Sequence, residues 1–346
     1  MVRIGDRPVG PGHAAYIVAE AGVNHDGSVD KALELVDVAA RAGADAVKFQ
    51  VFRAAELTTP SAAPATYQQA AGVRSQREML ARLELSDDAL RAIKARCQQR
   101  EIELLATPFG VADVERLVRL GLRAIKIAST DLNNLPLLRT AAETGLPLVV
   151  STGAATAGEI GQAVGRLRDW GAGGRLVLLH CVSRYPTPIA GANLRAIRAL
   201  EVASGVPCGF SDHTVHTQTG AWAVAAGACV LEKHFTLDRT ACGPDHAISL
   251  SPRQLRSYVW AVRQVEAALG SGRLGLSREE REVRALARRS VVAAAAIPAG
   301  TVLTAGLLAV KRPAGGIEPD RLDELVGRRT TRDIPADTIL TWDMIG

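Results

Sequence analysis

Along the first 270 residues, short apolar runs rich in Val, Ile and Leu alternate with longer segments of helical period. The runs at 16–22, 45–50, 102–108, 124–129, 146–152, 175–181, 206–211 and 228–234 are nearly continuous in apolar character, the pattern of strands buried on both faces. Helical spacing follows over 29–42, 86–100, 111–120, 133–144, 156–170, 192–204, 216–226 and 252–269. Ser86 ahead of Asp87 and Asp88 supplies a start signal for one of these helices. Eight strands, each with a covering helix, predict an α/β fold in which a parallel sheet closes into a (β/α)8 TIM barrel spanning 1–270.

After residue 270 the pattern changes. A Gly-containing and then charged stretch, 271–287, reads as a linker with a short helix, and 288–346 as a small β-rich domain of short apolar runs. Within it IPAGTVLTAGLL (297–308) resembles IPADTILTWDMI (334–345), a weak repeat that predicts two similar turns. It is too short for a solenoid.

The polar residues add chemistry to this frame. Glu20, Lys48, Gln50, Thr107, Lys126, Ser129, Ser151, Ser183, Ser211, His213 and His234 all fall near the ends of predicted strands, where a barrel gathers side chains at its mouth. A doubly wound sheet would place its ligand at one switch point, and EAGVNHDG after the first strand is no GxGxxG loop, so a nicotinamide enzyme is disfavoured. Lys48 and Lys126 are costly to bury without anionic partners, which points to a ligand carrying phosphate and carboxylate. Ser129, Ser151 and Ser211 offer hydroxyl donors, and the Ser151–Thr152–Gly153 turn offers backbone N–H groups.

His213 and His234 end consecutive predicted strands, so two imidazoles can meet one metal ion. Two nitrogen donors leave most coordination positions to water and substrate, suiting Mn²⁺ or a similar ion better than a closed structural zinc. Glu20 is the best carboxylate to orient a metal-bound water or move a proton, with Asp212 and Asp245 as further acidic candidates. His25 and His180 carry weaker signals. His216 is expected at the surface or in a cap, and His246 in an ordered loop interaction beside Asp245.

Composition narrows the remaining classes. At 346 residues and 47% hydrophobic content the chain is long enough for a barrel plus a smaller domain. The aromatic content of 4% argues against a base-stacking surface, and the net charge of +5 is spread among acidic residues, not gathered in a basic arm, so no nucleic-acid partner is expected. No segment reaches about 18 consecutive apolar residues and the N-terminus lacks a leader pattern, so no membrane association and a cytoplasmic location are expected. Cys97, Cys181, Cys208, Cys229 and Cys242 show no CxxC spacing. Each is expected to be a small buried hydrophobe, with neither a disulfide framework nor a thiolate zinc site.

Several stretches resemble one family. YIVAEAGVNHDGS, AGADAVKFQVF, LLATPF, IKIAST with NNLPLL, VVSTGAAT, LLHCVSRYPTP, GFSDHT, LEKHFTLD, GPDH, ARRS and VKRPAGGI occur in the order found in the sialic acid synthases, the phosphoenolpyruvate-dependent enzymes that make N-acetylneuraminate and related nonulosonic acids. The resemblance spans nearly all of residues 16–333. It implies a transferase of the EC 2.5.1 type: C3 of phosphoenolpyruvate adds to the aldehyde of an open-chain N-acyl hexosamine, water attacks C2, and phosphate leaves. It further implies a divalent metal, most simply Mn²⁺ with Mg²⁺ or Co²⁺ as alternatives, on His213 and His234. Phosphoenolpyruvate is implied on Lys48, Lys126, Ser129, Ser151 and Ser211, with Glu20, Gln50, Thr107, Tyr185 and Asp245 at other active-site positions. The C-terminal part resembles an antifreeze-like (SAF) domain, which implies a domain-swapped homodimer with Arg312 reaching the sugar N-acyl group of the partner barrel.

Departures concern the sugar. Where the family commonly has SGE, this chain has Ser129-Thr130-Asp131, which keeps the charge but withdraws the carboxylate by one methylene. Ser183 is followed by Arg184, which either answers an acidic or phosphorylated sugar or points outward, and NHDG replaces NHNG, placing Asp26 beside His25. The alternatives left open are a condensing synthase for another aldose or a phosphorylated sugar, and a noncatalytic sugar-binding protein.

Overall fold

In the computed structural model, which describes residues 1–62 and 75–346, eight parallel strands form a nearly closed barrel. A hairpin of β1 (Val2–Ile4) and β2 (Arg7–Val9) comes first. The barrel strands are β3 (Tyr16–Gly22), β4 (Ala46–Val51), β5 (Glu103–Pro108), β6 (Ile125–Ile127), β7 (Leu148–Ser151), β8 (Leu176–Cys181), β9 (Cys208–Asp212) and β10 (Val230–His234). Their order is β5-β4-β3-β10-β9-β8-β7-β6, and β5 and β6 lie side by side to complete the circle. All eight predicted strands and all eight covering helices are present, within a few residues at their ends.

Local chemistry accounts for the boundaries. The helix Val29–Ala42 starts where Ser28 accepts a hydrogen bond from the Lys31 N–H and stops at Gly43, whose φ of 82° is left-handed. Helices Ala157–Asp169 and Pro252–Leu269 open with capping boxes, Thr156 with Glu159 and Ser251 with Gln254.

Strand alternation then divides the side chains into two buried layers. Ile17, Ala19, Val47, Phe49, Leu104, Ile125, Ile127, Leu178, Phe210 and Leu231 face the helices, while Tyr16, Val18, Ala46, Leu105, Val149, Val177, Leu179 and Val230 fill the barrel. Val2, Ile4 and Val9 of the hairpin join the inner layer, where the strands begin. The hairpin is too short for a period to reveal; only Gly5, at φ 56°, marks its turn. With the N-terminal end filled by apolar residues, the polar strand ends are left to the opposite mouth.

The chain divides into two compact units, Met1–Gly270 and Ser271–Gly346. The second contains the helix Arg278–Ala287 and an antiparallel pair, β11 (Ser290–Ala293) and β12 (Leu308–Lys311), around a core that includes Val291, Leu303, Leu325 and Leu340. The repeat has a structural counterpart. Ile297 and Ile334 bridge each other, Gly300 and Asp337 occupy equivalent left-handed positions at φ 76° and 61°, and each copy ends in a 3-10 turn, Ala305–Leu307 and Trp342–Met344.

Cys97, Cys181, Cys208 and Cys229 are buried free thiols. Cys242 is exposed, against expectation, because it lies in the Gly/Pro loop after β10, outside both packed layers. Among the described residues no helix is long and apolar enough to cross a membrane.

Candidate active site

The C-terminal ends of the barrel strands surround a cavity of 570 Å³. Of the residues singled out from the sequence, Glu20, Lys48, Gln50, Thr107, Lys126, Ser129, Asp131, Ser151, Ser183, Tyr185, Ser211, His213, His234 and Asp245 all line it. Arg312 does not belong to this group; it is exposed on the Ser271–Gly346 unit, just after β12.

The floor of the cavity is charged. Lys48 Nζ lies 2.8 Å from Glu20 Oε2 and 3.6 Å from Glu232 Oε2, and Lys126 Nζ lies 3.7 Å from Glu232 Oε1. All four side chains are buried. Lys48 also donates to Thr107 Oγ1 at 2.8 Å, and Lys126 to Ser151 Oγ at 2.6 Å and the Ile127 carbonyl at 2.9 Å. Strand register assembles the group: Glu20 is opposite Lys48 on β4 and opposite His234 on β10, and Glu232 is opposite Ser211 on β9.

Glu232 was not singled out from the sequence. Its signal was available, because it sits two residues before His234 on one strand and so shares that residue's face. Ser211 donates to its Oε1 at 2.8 Å.

These neighbours separate the acidities of like groups. Burial raises the Glu20 carboxyl above its ordinary value despite Lys48, and the Glu232 charge adds to the rise. Glu232 feels burial in the same direction, but Lys126 and Lys48 outweigh it and hold the carboxyl at about 2. Burial also lowers the Lys126 ammonium below the usual lysine range, with Glu232 opposing. Lys48, equally buried, is raised because Glu20 and Glu232 flank it. The two carboxyls are thus pulled in opposite directions, Glu232 toward the anion and Glu20 toward the neutral acid.

The Ser129–Ser151 side of the cavity departs from the expected N–H cradle. Gly153 N–H donates to Ser129 Oγ at 2.9 Å and Thr152 N–H to the Leu179 carbonyl at 3.0 Å, so those donors already serve the protein. The side-chain hydroxyls and the two ammonium groups remain. A Cβ at Gly153 would fall 2.4 Å from Ser183 Oγ, 2.5 Å from Cys181 Sγ and 3.0 Å from Ser129 Oγ, which is why glycine stands there.

At the adjoining strand ends the His213 and His234 rings lie 5.9 Å apart, with the Tyr185 ring 4.2 Å from His213. His213 Nδ1 is 2.8 Å from the Val182 carbonyl, an arrangement that places the ring proton there and leaves Nε2 as a lone-pair donor. Burial, reinforced by His234, pushes His213 down to about 4, so the ring is neutral. His234 Nδ1 is buried without a hydrogen bond and lies 3.9 Å from Asp245 Oδ2. Two imidazoles that turn His213 Nε2 and His234 Nδ1 to the cavity without a strong protein partner fit an open catalytic cation site. They do not fit a closed structural one, since no group of three or more His, Cys, Asp or Glu side chains with metal-holding geometry occurs among the described residues.

The other sequence signals resolve into supporting roles. His246 bridges Asp26 Oδ1 at 2.8 Å and Thr236 Oγ1 at 2.6 Å, and Asp26 also pairs with Lys31 at 2.7 Å, so the NHDG variation changes loop bonding. His180 contacts the Ala192 carbonyl at 3.0 Å and stacks on Phe210. His216 is exposed, as expected. Asp131 lines the cavity, accepts from Asn134 Nδ2 at 2.9 Å, and has its carboxyl raised by burial. Arg184 is exposed and is not among the cavity's lining residues.

A parallel barrel whose mouth sets buried lysines and carboxylates beside two imidazoles defines an enzyme that handles a small anionic substrate. The chain belongs to the NeuB family, whose model matches residues 35–274, and residues 288–346 match the SAF domain. It is similar to an N,N'-diacetyllegionaminic acid synthase of Legionella pneumophila, 37% identical over 346 residues that cover 99% of this chain and 97% of the other. A Campylobacter jejuni protein of the same name is 39% identical over 327 residues, 94% of this chain and 98% of the other. Among solved structures, the N-acetylneuraminic acid synthetase of Leptospira borgpetersenii superposes with a TM-score of 0.73 at 35% identity, covering 82% of this chain and 94% of that one. Family membership makes the chain a phosphoenolpyruvate-dependent condensing synthase that acts on an N-acyl sugar to form a nonulosonic acid.

Proposed function

We propose that the acceptor is an unphosphorylated N-acyl hexosamine in its open-chain form, N-acetylmannosamine or a diacetamido relative. The observation that carries this reading is the placement of charge. Lys48 and Lys126 are the only lysine or arginine side chains lining the cavity among the described residues, and both lie on its floor. Arg184, the cation the sequence offered for a phosphorylated sugar, is exposed and does not line the cavity, and Arg312 is taken up by the N-acyl group in this reading. The names of the two legionaminate relatives favour the diacetamido class.

In this reading Lys48 and Lys126, with the hydroxyls of Ser129, Ser151 and Ser211, bind the phosphate and carboxylate of phosphoenolpyruvate. Gln50, Thr107, Asp131, Ser183, Tyr185 and Asp245 orient the sugar. C3 of phosphoenolpyruvate forms a bond to the aldehyde carbon, whose oxygen takes up a proton. Water adds to C2 with loss of a proton, and the C2–O bond to phosphate then breaks. Glu20, whose carboxyl is made a weaker acid than usual by burial, is suited to move a proton in this sequence, while the fixed Glu232 charge lies between the two lysines and offsets their repulsion. His213 and His234 would hold a divalent cation, Mn²⁺ by preference, which when bound would supply Lewis-acid polarisation of the aldehyde. Arg312 is assigned to the sugar N-acyl group in a dimer where the small domain of one chain covers the other's barrel.

Phosphate release from phosphoenolpyruvate by metal-stripped protein, with and without Mn²⁺, tests the proposal against N-acetylmannosamine, its 6-phosphate, diacetamido-trideoxyhexoses and simple aldoses. Metal-dependent release with an unphosphorylated N-acyl sugar, and a product mass equal to the sum of both substrates and water less phosphate, is expected. Preference for the sugar phosphate would overturn the acceptor assignment, and sugar binding without phosphate release would favour a binding protein.

A further inference from the structure

Behind the two histidines, on the helix-facing side of the sheet, a second pair of charges is buried away from the cavity. Asp212 and Lys233 are register partners on β9 and β10, and each immediately precedes one of the imidazoles. Lys233 Nζ lies 3.0 Å from Asp212 Oδ2, with the side chains 1% and 0% exposed. The same ammonium donates to the Thr214 carbonyl and, at 3.4 Å, to Thr214 Oγ1, while the Thr214 N–H donates to Asp212 Oδ1 at 2.9 Å. Thr214 Oγ1 is in turn 2.9 Å from Thr219 Oγ1, at the start of the helix Thr219–Ala225. The Tyr258 ring covers the ammonium at 5.6 Å, an approach that needs glycine at 220, where a Cβ would fall 2.3 Å from Tyr258 Cζ.

Stability alone does not explain this cluster. Desolvating two charges roughly cancels their attraction, and well-packed apolar residues in their place are often neutral or better. What the cluster adds is fixed backbone geometry. The residues on both sides of His213, Asp212 through its carboxylate and Thr214 through its carbonyl and hydroxyl, end on one ammonium. That ammonium belongs to the residue before His234. With His213 Nδ1 also held at the Val182 carbonyl, both the position and the rotation of this ring are determined.

We propose that Asp212, Lys233 and Thr214 form a buried clip that sets the spacing of the His213 and His234 imidazoles and thereby their affinity for a divalent cation. The three are positioning residues, and the inference rests on the assignment of the two histidines to the cation. Removing the ammonium releases Thr214 and the Asp212 carboxylate from β10, although the strand ladder remains, and lets the His213 ring drift relative to His234. The phosphoenolpyruvate lysines, on β4 and β6, are left in place.

The test is titration of metal-free full-length protein with Mn²⁺, read from the paramagnetic signal of the free ion, with phosphoenolpyruvate affinity measured on the same samples. Lys233→Met and Asp212→Asn are expected to weaken Mn²⁺ binding about 10-fold or more while phosphoenolpyruvate affinity stays within about twofold. His213→Ala separates the two levels of inference. If His213→Ala binds Mn²⁺ as the wild type does, the histidine assignment fails and the clip with it. If His213→Ala loses the ion while both clip variants keep wild-type affinity, the clip alone is overturned. Equal losses of Mn²⁺ and phosphoenolpyruvate affinity would also overturn it, by showing a general structural role. Should Lys233→Met not fold, the isosteric Asp212→Asn, which keeps an acceptor for the Thr214 N–H, decides the matter.

Discussion

The Glu232 carboxylate lies 3.7 Å from the Lys126 ammonium and is the first of the charges that oppose the lowering of that lysine by burial. If Lys126 holds the phosphate as proposed, it does so as an ammonium, so phosphoenolpyruvate affinity is expected to fall at alkaline pH below the ordinary lysine range. Glu232→Gln keeps the shape and can still accept from Ser211 but removes the charge. The alkaline fall should therefore move to lower pH in this variant. Dissociation constants for phosphoenolpyruvate measured from pH 6 to 10 in both proteins check the direction; coincident profiles would remove Lys126 from the phosphate site.

A second expectation follows from the charge sum of the floor, where two ammonium groups meet two carboxylates. The formal total is zero, yet the ligand carries about −2.5 to −3 from its phosphate and carboxylate. Its entry must raise further the Glu20 carboxyl, already raised by burial. Binding near neutral pH is therefore expected to take up a proton, seen calorimetrically as a binding heat that varies with the ionisation enthalpy of the buffer. Glu20→Gln should abolish that variation.

The barrel was legible in the sequence because each of its strands is a nearly continuous apolar run and each helix is long enough to show a period. The site was legible for a related reason: in a barrel, polar residues that end apolar runs converge, as Lys48, Lys126, His213 and His234 do. Glu232 escaped because it lies inside a strand, two residues short of its end, where a charge reads as an interruption. Its partners are Lys48 and Lys126, on strands far away in the sequence. Asp212, an acidic candidate for the cavity from the sequence, does not line it; the strand alternation turns it to the helix side, where its pairing with Lys233 was not legible because only register brings the two together. The engagement of the Gly153 N–H by Ser129 depends on the approach of two loops, which no local pattern encodes.

Gly153 gives a steric test of that approach. Its missing Cβ leaves room for Ser183 Oγ, Cys181 Sγ and Ser129 Oγ, all on short side chains with little freedom to withdraw. Gly153→Ala is expected to cost about 1–3 kcal/mol of stability by overpacking. It should also displace Ser129 and weaken phosphoenolpyruvate binding more than sugar binding. Denaturant unfolding and separate ligand titrations measure the two effects, and unchanged values for both would show that the loop yields without consequence.

His25 links the loop after β3 to stability. Its ring is fully buried, 6.1 Å from the Phe49 ring, with Nδ1 accepting from the Gly27 N–H at 3.0 Å and Nε2 without a partner. Burial pushes its pKa from 6.5 down to about 4, against a smaller opposing pull from Asp26. Between those values the unfolded chain binds a proton that the native chain does not, so the native state loses stability as pH falls from about 6.5 toward 4. The shift corresponds to about 3 kcal/mol, fully present as stability above the upper value and lost by the lower one. In His25→Gln, which can keep an acceptor for Gly27, this part of the acid dependence should vanish. Urea unfolding of both proteins at pH 7.5, 5.5 and 4.5 reads the difference. Parallel curves would mean that His25 takes up its proton in the native state, and hence that water reaches the loop at the edge of the active site.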